Sequence, residues 1–189
     1  MKEVKRCPWL NLDNELYKKY HDLEWGVPVY NDKKIFELLV LESFQAGLSW
    51  QIILNKRENF KKAFANFDFE KIAKFNKRDV ERLMKDSGIV RNRLKIEATI
   101  ENAKNFLKVR KEFGTFSKYM WSFVFGKRIV HKLKTLKDYP EYIKEAEIFA
   151  KDLKRRGFKF LGPKVVYAHM QASGMVNDHT VSCFRYRKV

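Results

Sequence analysis

The chain has 189 residues, with 40 Lys and Arg against 23 Asp and Glu, for a formal net charge of +17. A hydrophobic content of 45% and an aromatic content of 15% exclude a mainly disordered chain. The longest uncharged stretch of its apolar segments, Ser43 to Asn55, is too short to cross a bilayer. Two cysteines cannot build a disulfide scaffold, and no apolar segment follows Met1 to Arg6. We therefore expect no export signal and a cytoplasmic location.

The excess of positive charge has two interpretations. A basic globular protein favours polyanionic partners, of which nucleic acid is the commonest. A lysine-rich proteome would give the same charge without any such partner. Charge alone leaves both interpretations open and says nothing about chemistry.

The first strongly patterned segment runs from Lys33 to Asn55 and is rich in Leu, Ile, Val, Phe and Trp. Apolar residues recur at i, i+3 and i+4, and most residues between them are apolar as well. This pattern predicts helix that is buried nearly all round. Gly47 predicts a break that divides the segment into two helices.

A helical hairpin is predicted over residues 79–108. Its first helix, Asp79 to Lys85, begins acidic and ends basic, as the helix dipole favours. Gly88 occupies the place of a left-handed residue beyond the helix end. The second helix is predicted from Val90 to Lys108, and a short turn between two helices makes a hairpin.

Two further helices are predicted near the C-terminus, at about Pro140 to Arg156 and at about Pro163 to Met175. Pro163 suits the first turn of the last one, whereas Thr115 to Tyr139 has no clear pattern. With 8 Gly and 4 Pro, the chain is poor in the turn formers that all-β architectures need. We predict an all-α fold and a single unit over residues 1–189, built as one body or two close helical lobes.

Four potential metal ligands lie in two distant pairs. His179 and Cys183 have the i, i+4 spacing that brings two side chains to one face of a helical turn. Cys7 and His21 offer a second pair across a loop. Together they would form a closed Cys₂His₂ zinc site, which is structural because no position stays open for a substrate. The alternative is four unrelated residues, since a free Cys is usually a buried apolar residue.

Glu42 is the only charged residue of a long apolar and aromatic stretch. Burial of an ionised carboxylate is unfavourable unless a partner offsets it, and a flat cationic ligand between aromatic rings could be that partner. The alternative is an ion pair with one of the many basic residues. The aromatic residues that could supply such rings are Trp9, Tyr20, Trp25, Phe44 and Trp50.

The turn of the predicted hairpin, within Lys85 to Lys95, is a candidate phosphate site. Backbone N–H groups at the start of its second helix would face an anion, and the side chains of Arg91, Arg93 and Lys95 would add positive charge. The alternative is an ordinary solvated turn between two helices.

The sequence also resembles the bacterial 3-methyladenine DNA glycosylase I family in matches that extend over nearly the whole chain. The matching segments are RCPW at 6–9, YHDxEWGVP at 20–28, LExxQAGLSW at 41–50, KRENF at 56–60, WSF at 121–123, RGFKFLG at 156–162 and MQASGMVNDH at 170–179.

This resemblance implies an all-α fold of the helix-hairpin-helix DNA glycosylase class, with one zinc ion that joins segments 7–21 and 179–183. The implied ligands of the zinc are Cys7, His21, His179 and Cys183. The resemblance makes Glu42 the group that recognises the base, with Tyr20 and Trp50 as the walls of its pocket. The surrounding rings would be those of Trp9, Tyr17 and Trp25.

The implied DNA contacts lie in the hairpin and beside Glu42. Segment 87–90 resembles the DNA-anchoring turn of the family through Gly88, although Val90 stands where the wider superfamily has a second Gly. Gln45 and Leu48 are the candidates to fill the gap that a flipped base leaves in the duplex.

The implied activity is the release of 3-methyladenine from double-stranded DNA by hydrolysis of its N-glycosidic bond. We expect a monomer without strand-cleaving lyase activity. One alternative is a zinc-containing helical module that binds nucleic acid without catalysis, and another is a glycosylase that accepts a broader range of alkylated purines.

Overall fold

The computed structural model describes residues 4–189, and the all-α prediction is confirmed. Nine helices are found in this part of the chain. Their bounds are α1 Glu15–Leu23, α2 Asp32–Gln45, α3 Trp50–Ala63, α4 Phe69–Ile72, α5 Lys77–Lys85, α6 Arg93–Phe113, α7 Phe116–Ser122, α8 Lys144–Arg155 and α9 Pro163–Ala172. Within residues 4–189, no helix is both long and apolar enough to span a membrane.

The segment around Gly47 divides into two helices as predicted. Helix α2 ends at Gln45, Gly47 adopts a φ of +84°, and Ser49 caps α3 by accepting a hydrogen bond from the N–H of Ile52. Every residue of α2 from Leu38 to Phe44 is buried, in agreement with the prediction of burial nearly all round.

The hairpin is formed by α5 and α6, but its turn differs from the prediction. Asn92 caps α6 by accepting a hydrogen bond from the N–H of Lys95, so this helix begins at Arg93 rather than at Val90. Gly88 is not left-handed. A Cβ at this position would lie 3.1 Å from the Cβ of Asn59, so Gly88 permits the close approach of α3 instead.

The last two predicted helices are present with shifted ends. Helix α8 begins at Lys144 rather than near Pro140, and α9 ends at Ala172 with Pro163 in its first turn. The segment from Thr115 to Tyr139, which has no clear pattern, contributes α7, the two-residue strand β1 (Ile129–Val130) and a 3₁₀ turn. Strand β1 pairs in parallel with β2 (Val176–Asn177), which follows α9.

Aromatic rings from several helices pack at the centre of the core. The ring of Phe106 on α6 stacks on Phe116 of α7 at a centroid distance of 4.0 Å, and lies 5.1 Å from Phe36 of α2 and 4.8 Å from Phe69 of α4. Helix α9 packs against α8 and α2. The packing of α9 on α2 brings both helices to the wall of one cavity.

Candidate functional site

A cavity of about 330 Å³ opens between α1, α2, α3 and α9, within the range of ligand sites. Its walls are mostly aromatic. The lining residues are Trp9, Tyr17, Tyr20, Trp25, Glu42, Gln45, Trp50, Leu136, Tyr139, Ala168 and Gln171.

Two capped helix starts place the aromatic walls. Asn14 caps α1, which turns Tyr17 and Tyr20 to the cavity, and the Ser49 cap makes Trp50 the first residue of α3. The rings of Tyr20 and Trp50 lie 5.3 Å apart at 53° to each other. Beside them, the ring of Trp9 lies edge-on to Trp25 at 4.7 Å. Flat walls of this kind suit a flat ligand.

Among the described residues, Glu42 is the only carboxylate that lines this cavity, and it is 4% exposed. Its Oε2 atom accepts no hydrogen bond from the described residues, so the ion pair considered as the alternative is not present there. Because burial disfavours the charged form, the pKa of Glu42 rises to about 8. Burial, together with the nearby Glu42, also raises the pKa of Tyr17 to about 12. A cationic ligand in the cavity would favour the ionised form of Glu42, which burial alone disfavours.

Four lining residues were not singled out from the sequence: Leu136, Tyr139, Ala168 and Gln171. Leu136 and Tyr139 belong to the segment without a clear pattern. Ala168 and Gln171 lie on one face of α9 at i, i+3, and the signal that could have found Gln171 is its place in the matching segment at 170–179.

The two distant pairs of potential metal ligands meet in one buried cluster. One ligand atom from each of Cys7, His21, His179 and Cys183 lies within 4.8 Å of the other three. His179 Nδ1 lies 3.4 Å from Cys7 Sγ and 3.5 Å from Cys183 Sγ, and His21 Nε2 lies 3.6 Å from Cys183 Sγ. A tetrahedral zinc ion with bonds of about 2.3 Å to sulfur and about 2.0 Å to nitrogen would hold these atoms about 3.5 Å apart. The cluster therefore fits a metal ion.

The surroundings of the cluster orient its ligands. His21 Nδ1 lies 2.7 Å from the carboxylate of Asp22, and His179 Nε2 lies 3.1 Å from the carbonyl oxygen of Trp25. Such outer partners fix the tautomer of a metal-binding imidazole. The neighbouring Cys7, followed by the two imidazoles, lowers the pKa of the Cys183 thiol, and the thiolate is the form that binds metal.

The metal cluster is in contact with the walls of the cavity. His21 follows Tyr20 on α1, and its ring lies 5.3 Å from that of Trp9. The ring of His179 lies 4.6 Å from that of Trp25. The same residues that could hold a metal thus support three of the aromatic walls.

The hairpin turn is held by the protein itself. The N–H of Gly88 donates to Asp86 Oδ1 at 2.8 Å, so this group is already engaged. Lys56 on α3 donates to the carbonyl oxygens of Ser87 and Gly88 at 3.0 and 3.3 Å. Val90 is half-buried against the core, and Arg91 is exposed beyond it.

The basic residues predicted to contact phosphate have different environments. Lys95 is 6% exposed and donates to the carbonyl oxygens of Phe44 and Ala46 at 2.9 and 2.6 Å, so the prediction that it contacts DNA is wrong. Lys95 instead binds the C-terminal end of α2, where free carbonyls attract cations. Arg93 is partly exposed and pairs with Glu81 at 2.8 Å.

Gln45 and Leu48 lie at the edge of the cavity. A neighbouring groove shares Glu42, Gln45 and Ala168 with the cavity and continues to Leu48, which is exposed on the link between α2 and α3. The structure thus brings both residues beside Glu42.

Comparison with known proteins agrees with this site. The family model described as methyladenine glycosylase matches residues 9–186. DNA-3-methyladenine glycosylase 1 of Escherichia coli (strain K12) is 45% identical over 97% of each chain. A crystal structure of 3-methyladenine DNA glycosylase I has a TM-score of 0.92 and 44% identity, and covers 95% of this chain and 98% of its own.

A second solved structure shows the basis of 3-methyladenine recognition by 3-methyladenine DNA glycosylase I from Staphylococcus aureus. It has a TM-score of 0.88 and 41% identity, and covers 90% of this chain and 91% of its own. The fold and the site are therefore those of a DNA base glycosylase. The chain belongs to the methyladenine glycosylase family.

Proposed function

We propose that this chain is a DNA repair enzyme that releases 3-methyladenine from double-stranded DNA and leaves an abasic site. The observation that carries the proposal is the buried Glu42 carboxylate, which lines a cavity of aromatic rings and whose Oε2 has no hydrogen-bond partner in residues 4–189. The relatives named above supply the substrate class, since they act on or recognise 3-methyladenine.

The charge of the damaged base suits this cavity. Methylation at N3 gives adenine in DNA a formal positive charge, which undamaged adenine lacks. Tyr20 and Trp50 would stack on the cation, with Trp9, Tyr17 and Trp25 around it, and Glu42 would accept its N–H hydrogens. A hydrogen bond to a charged group is roughly twice as strong as a neutral one, so the site favours the damaged base.

The target base must leave the duplex to reach a site at this depth, and a damaged base unstacks at a cost of only a few kcal/mol. Leu48 is exposed beside the cavity and would fill the gap, with Gln45 as the second candidate. Arg91 and Arg93 on the α5–α6 hairpin, which we assign as the helix-hairpin-helix element, would hold backbone phosphates near Gly88 and Val90.

The reaction is a hydrolysis in which the positive charge on the base weakens the bond to be broken. The bond between C1′ and N9 breaks, its electron pair stays on the base, and neutral 3-methyladenine leaves. Water adds to C1′ and releases one proton. None of the lysines in residues 4–189 lines the cavity, and we propose a monofunctional glycosylase without a Schiff base.

The metal site would have a structural role. Cys7, His21, His179 and Cys183 would hold one zinc ion with four protein ligands, and the ion would supply cross-linking of the two segments rather than reaction chemistry. We also propose that the enzyme acts as a monomer, inside the cell where its DNA substrate lies.

The proposal is tested by incubating the protein with methylated double-stranded DNA and identifying the released bases by chromatography. We expect 3-methyladenine to be the main product, with the DNA backbone intact until the abasic sites are cleaved by alkali. DNA binding without release of any base would overturn the proposal in favour of a binding module. Equal release of several alkylated purines would indicate the broader glycosylase.

A further inference from the structure

Besides Glu42, the cavity contains the side-chain amide of Gln171, which has no part in recognition of the positive charge. Gln171 on α9 lines the cavity, and its Nε2 donates to Asp178 Oδ2 at 2.6 Å. The two ends of a side-chain amide differ, because the nitrogen only donates and the oxygen only accepts. The group that binds one end of the amide therefore decides which atom, nitrogen or oxygen, the other end presents to the cavity.

Asp178 fixes this choice. Its side chain is fully buried, its Oδ1 lies 2.7 Å from His131 Nδ1, and its Oδ2 also accepts a hydrogen bond from the hydroxyl of Tyr167. A carboxylate held by three donors offers nothing that the amide oxygen of Gln171 could accept, so the amide cannot turn round. Gln171 Oε1 is left as the free acceptor at the cavity and accepts no hydrogen bond from the described residues.

We propose that Gln171 Oε1 determines specificity for a purine with an amino group at C6, and that Asp178 is the residue that positions it. This inference rests on the proposed function. The positive charge that Glu42 would recognise is shared by any N3-methylated purine, so charge alone does not separate adenine from guanine. An amino group at C6 can donate to Gln171, whereas a carbonyl there would place two acceptors against each other, which is unfavourable by about tenfold or more in affinity.

The test compares two free bases that differ at C6, 3-methyladenine with an amino group and 3-methylhypoxanthine with a carbonyl. Binding is followed by quenching of the tryptophans that line the cavity. We expect the wild-type protein to prefer 3-methyladenine by about tenfold or more. Gln171→Met keeps the length of the side chain but removes the amide, and should lower this preference by about fivefold or more. The remaining preference would come from Glu42, which also accepts hydrogens of the amino group.

Two further variants test whether Asp178 positions the amide of Gln171 or only stabilises the fold. Asp178→Asn allows the amide of Gln171 to turn round and should weaken the preference, with metal content measured because His179 is adjacent. Tyr167→Phe removes another hydrogen bond to Asp178 but leaves the Gln171 contact, and should keep the preference.

The outcomes distinguish this inference from the function on which it rests. If wild-type protein releases 3-methyladenine from methylated DNA and Gln171→Met keeps the wild-type preference between the two bases, the role of Gln171 is overturned. The same holds if wild-type protein releases 3-methyladenine but shows no preference or binds neither base. If it releases no base from DNA, the proposed function itself fails.

Discussion

At the scale of single residues, Glu42 combines two properties that rarely coexist: deep burial, and an Oε2 atom without a hydrogen-bond partner in the part of the chain that the structure describes. Glu42→Gln keeps the shape of the side chain but removes its ability to pair with a cation. A hydrogen bond to a charged group contributes about 1.5–3 kcal/mol, so excision of 3-methyladenine should fall by about 10-fold to 100-fold. DNA affinity should change little, because Glu42 lies inside the cavity.

The measurement is single-turnover excision at saturating enzyme, beside a binding titration with undamaged DNA. Glu58→Gln is the matched control, because Glu58 is an exposed carboxylate on α3. Equal excision by Glu42→Gln and wild type would remove Glu42 from base recognition.

Glu42 should also make stability depend on pH. Its pKa is about 8 in the folded protein against an ordinary value of 4.5, so between these values the folded state holds a proton that the unfolded state has lost. Stability from this group is complete below about pH 4.5 and is lost as pH rises through about 8. As pH rises from about 4.5 to about 8, the free energy of unfolding of Glu42→Gln should increase relative to that of wild type by up to roughly 1 kcal/mol per pH unit.

Denaturant unfolding at pH 5, 7 and 9 measures this difference. A gap between the two proteins that stays constant over the three values would show that Glu42 is not buried as described. A cation bound in the cavity should reverse this loss of wild-type stability with rising pH, because it pairs with Glu42 and favours the ionised carboxylate.

At the scale of elements, α6 connects the hairpin to the cavity through Lys95. Its ammonium binds carbonyls at the end of α2, next to the link that carries Leu48. Arg91, one turn earlier in the hairpin, is exposed. Arg91→Ala should therefore reduce the slope of log affinity for DNA against log salt by about 0.9, the contribution of one phosphate contact.

Lys95→Met should leave that slope unchanged although it removes the same charge. It should instead lower the free energy of unfolding by about 1–3 kcal/mol, because the buried carbonyl of Phe44 and the partly buried carbonyl of Ala46 lose their donor. Binding titrations over a range of salt and denaturant unfolding check both variants. Equal loss of slope in the two proteins would contradict the assignment of Lys95 to the interior.

The environment of Lys95 shows where analysis of the sequence fell short. Counted with Arg91 and Arg93, it looks like part of a basic surface. Its position relative to Thr99, Asn102 and Phe106, at spacings of four, three and four, places it on the buried stripe of α6. A run of like charges does not distinguish the two faces of a helix, whereas periodicity does.

The site was predicted where its chemistry is unusual. Glu42 was identified because a lone carboxylate in an apolar helix needs a partner, and the cysteines because few residue types bind metal. Gln171 and Tyr139 were not, since neutral polar residues more than 90 positions from Glu42 give no local signal, and only the packing of α9 on α2 brings Gln171 to the cavity.

At the scale of the whole molecule, the Cys₂His₂ cluster joins the two ends of the described chain. Cys183→Ser should lose the metal and lower the melting temperature, because an incomplete ligand set binds metal weakly and its binding energy contributes to folding. Elemental analysis and thermal unfolding measure this, with the neighbouring Ser182→Ala as the control. Wild-type protein purified without chelators and found free of zinc would refute the assignment.

The net charge of +17 has a more limited meaning than composition suggested. Many basic side chains are engaged within the protein: Arg57 with Glu24 and Glu37, Lys56 with the hairpin turn, Lys95 with the end of α2. What the excess provides is long-range attraction of DNA. In the proposed function, selection of the damaged base depends on an acidic residue, Glu42.

The placement of the metal ligands has a consequence for the order in which the protein is made. Trp9, Tyr20 and Trp25 leave the ribosome early, whereas His179 and Cys183, which with a bound metal would hold this wall in place, leave more than 150 residues later. A nascent chain therefore contains the N-terminal aromatic residues of the cavity before the C-terminal residues that complete it have been made. Ribosome-bound chains stalled before Cys183 should bind no base, so the enzyme becomes able to extract a base only after synthesis of this last ligand.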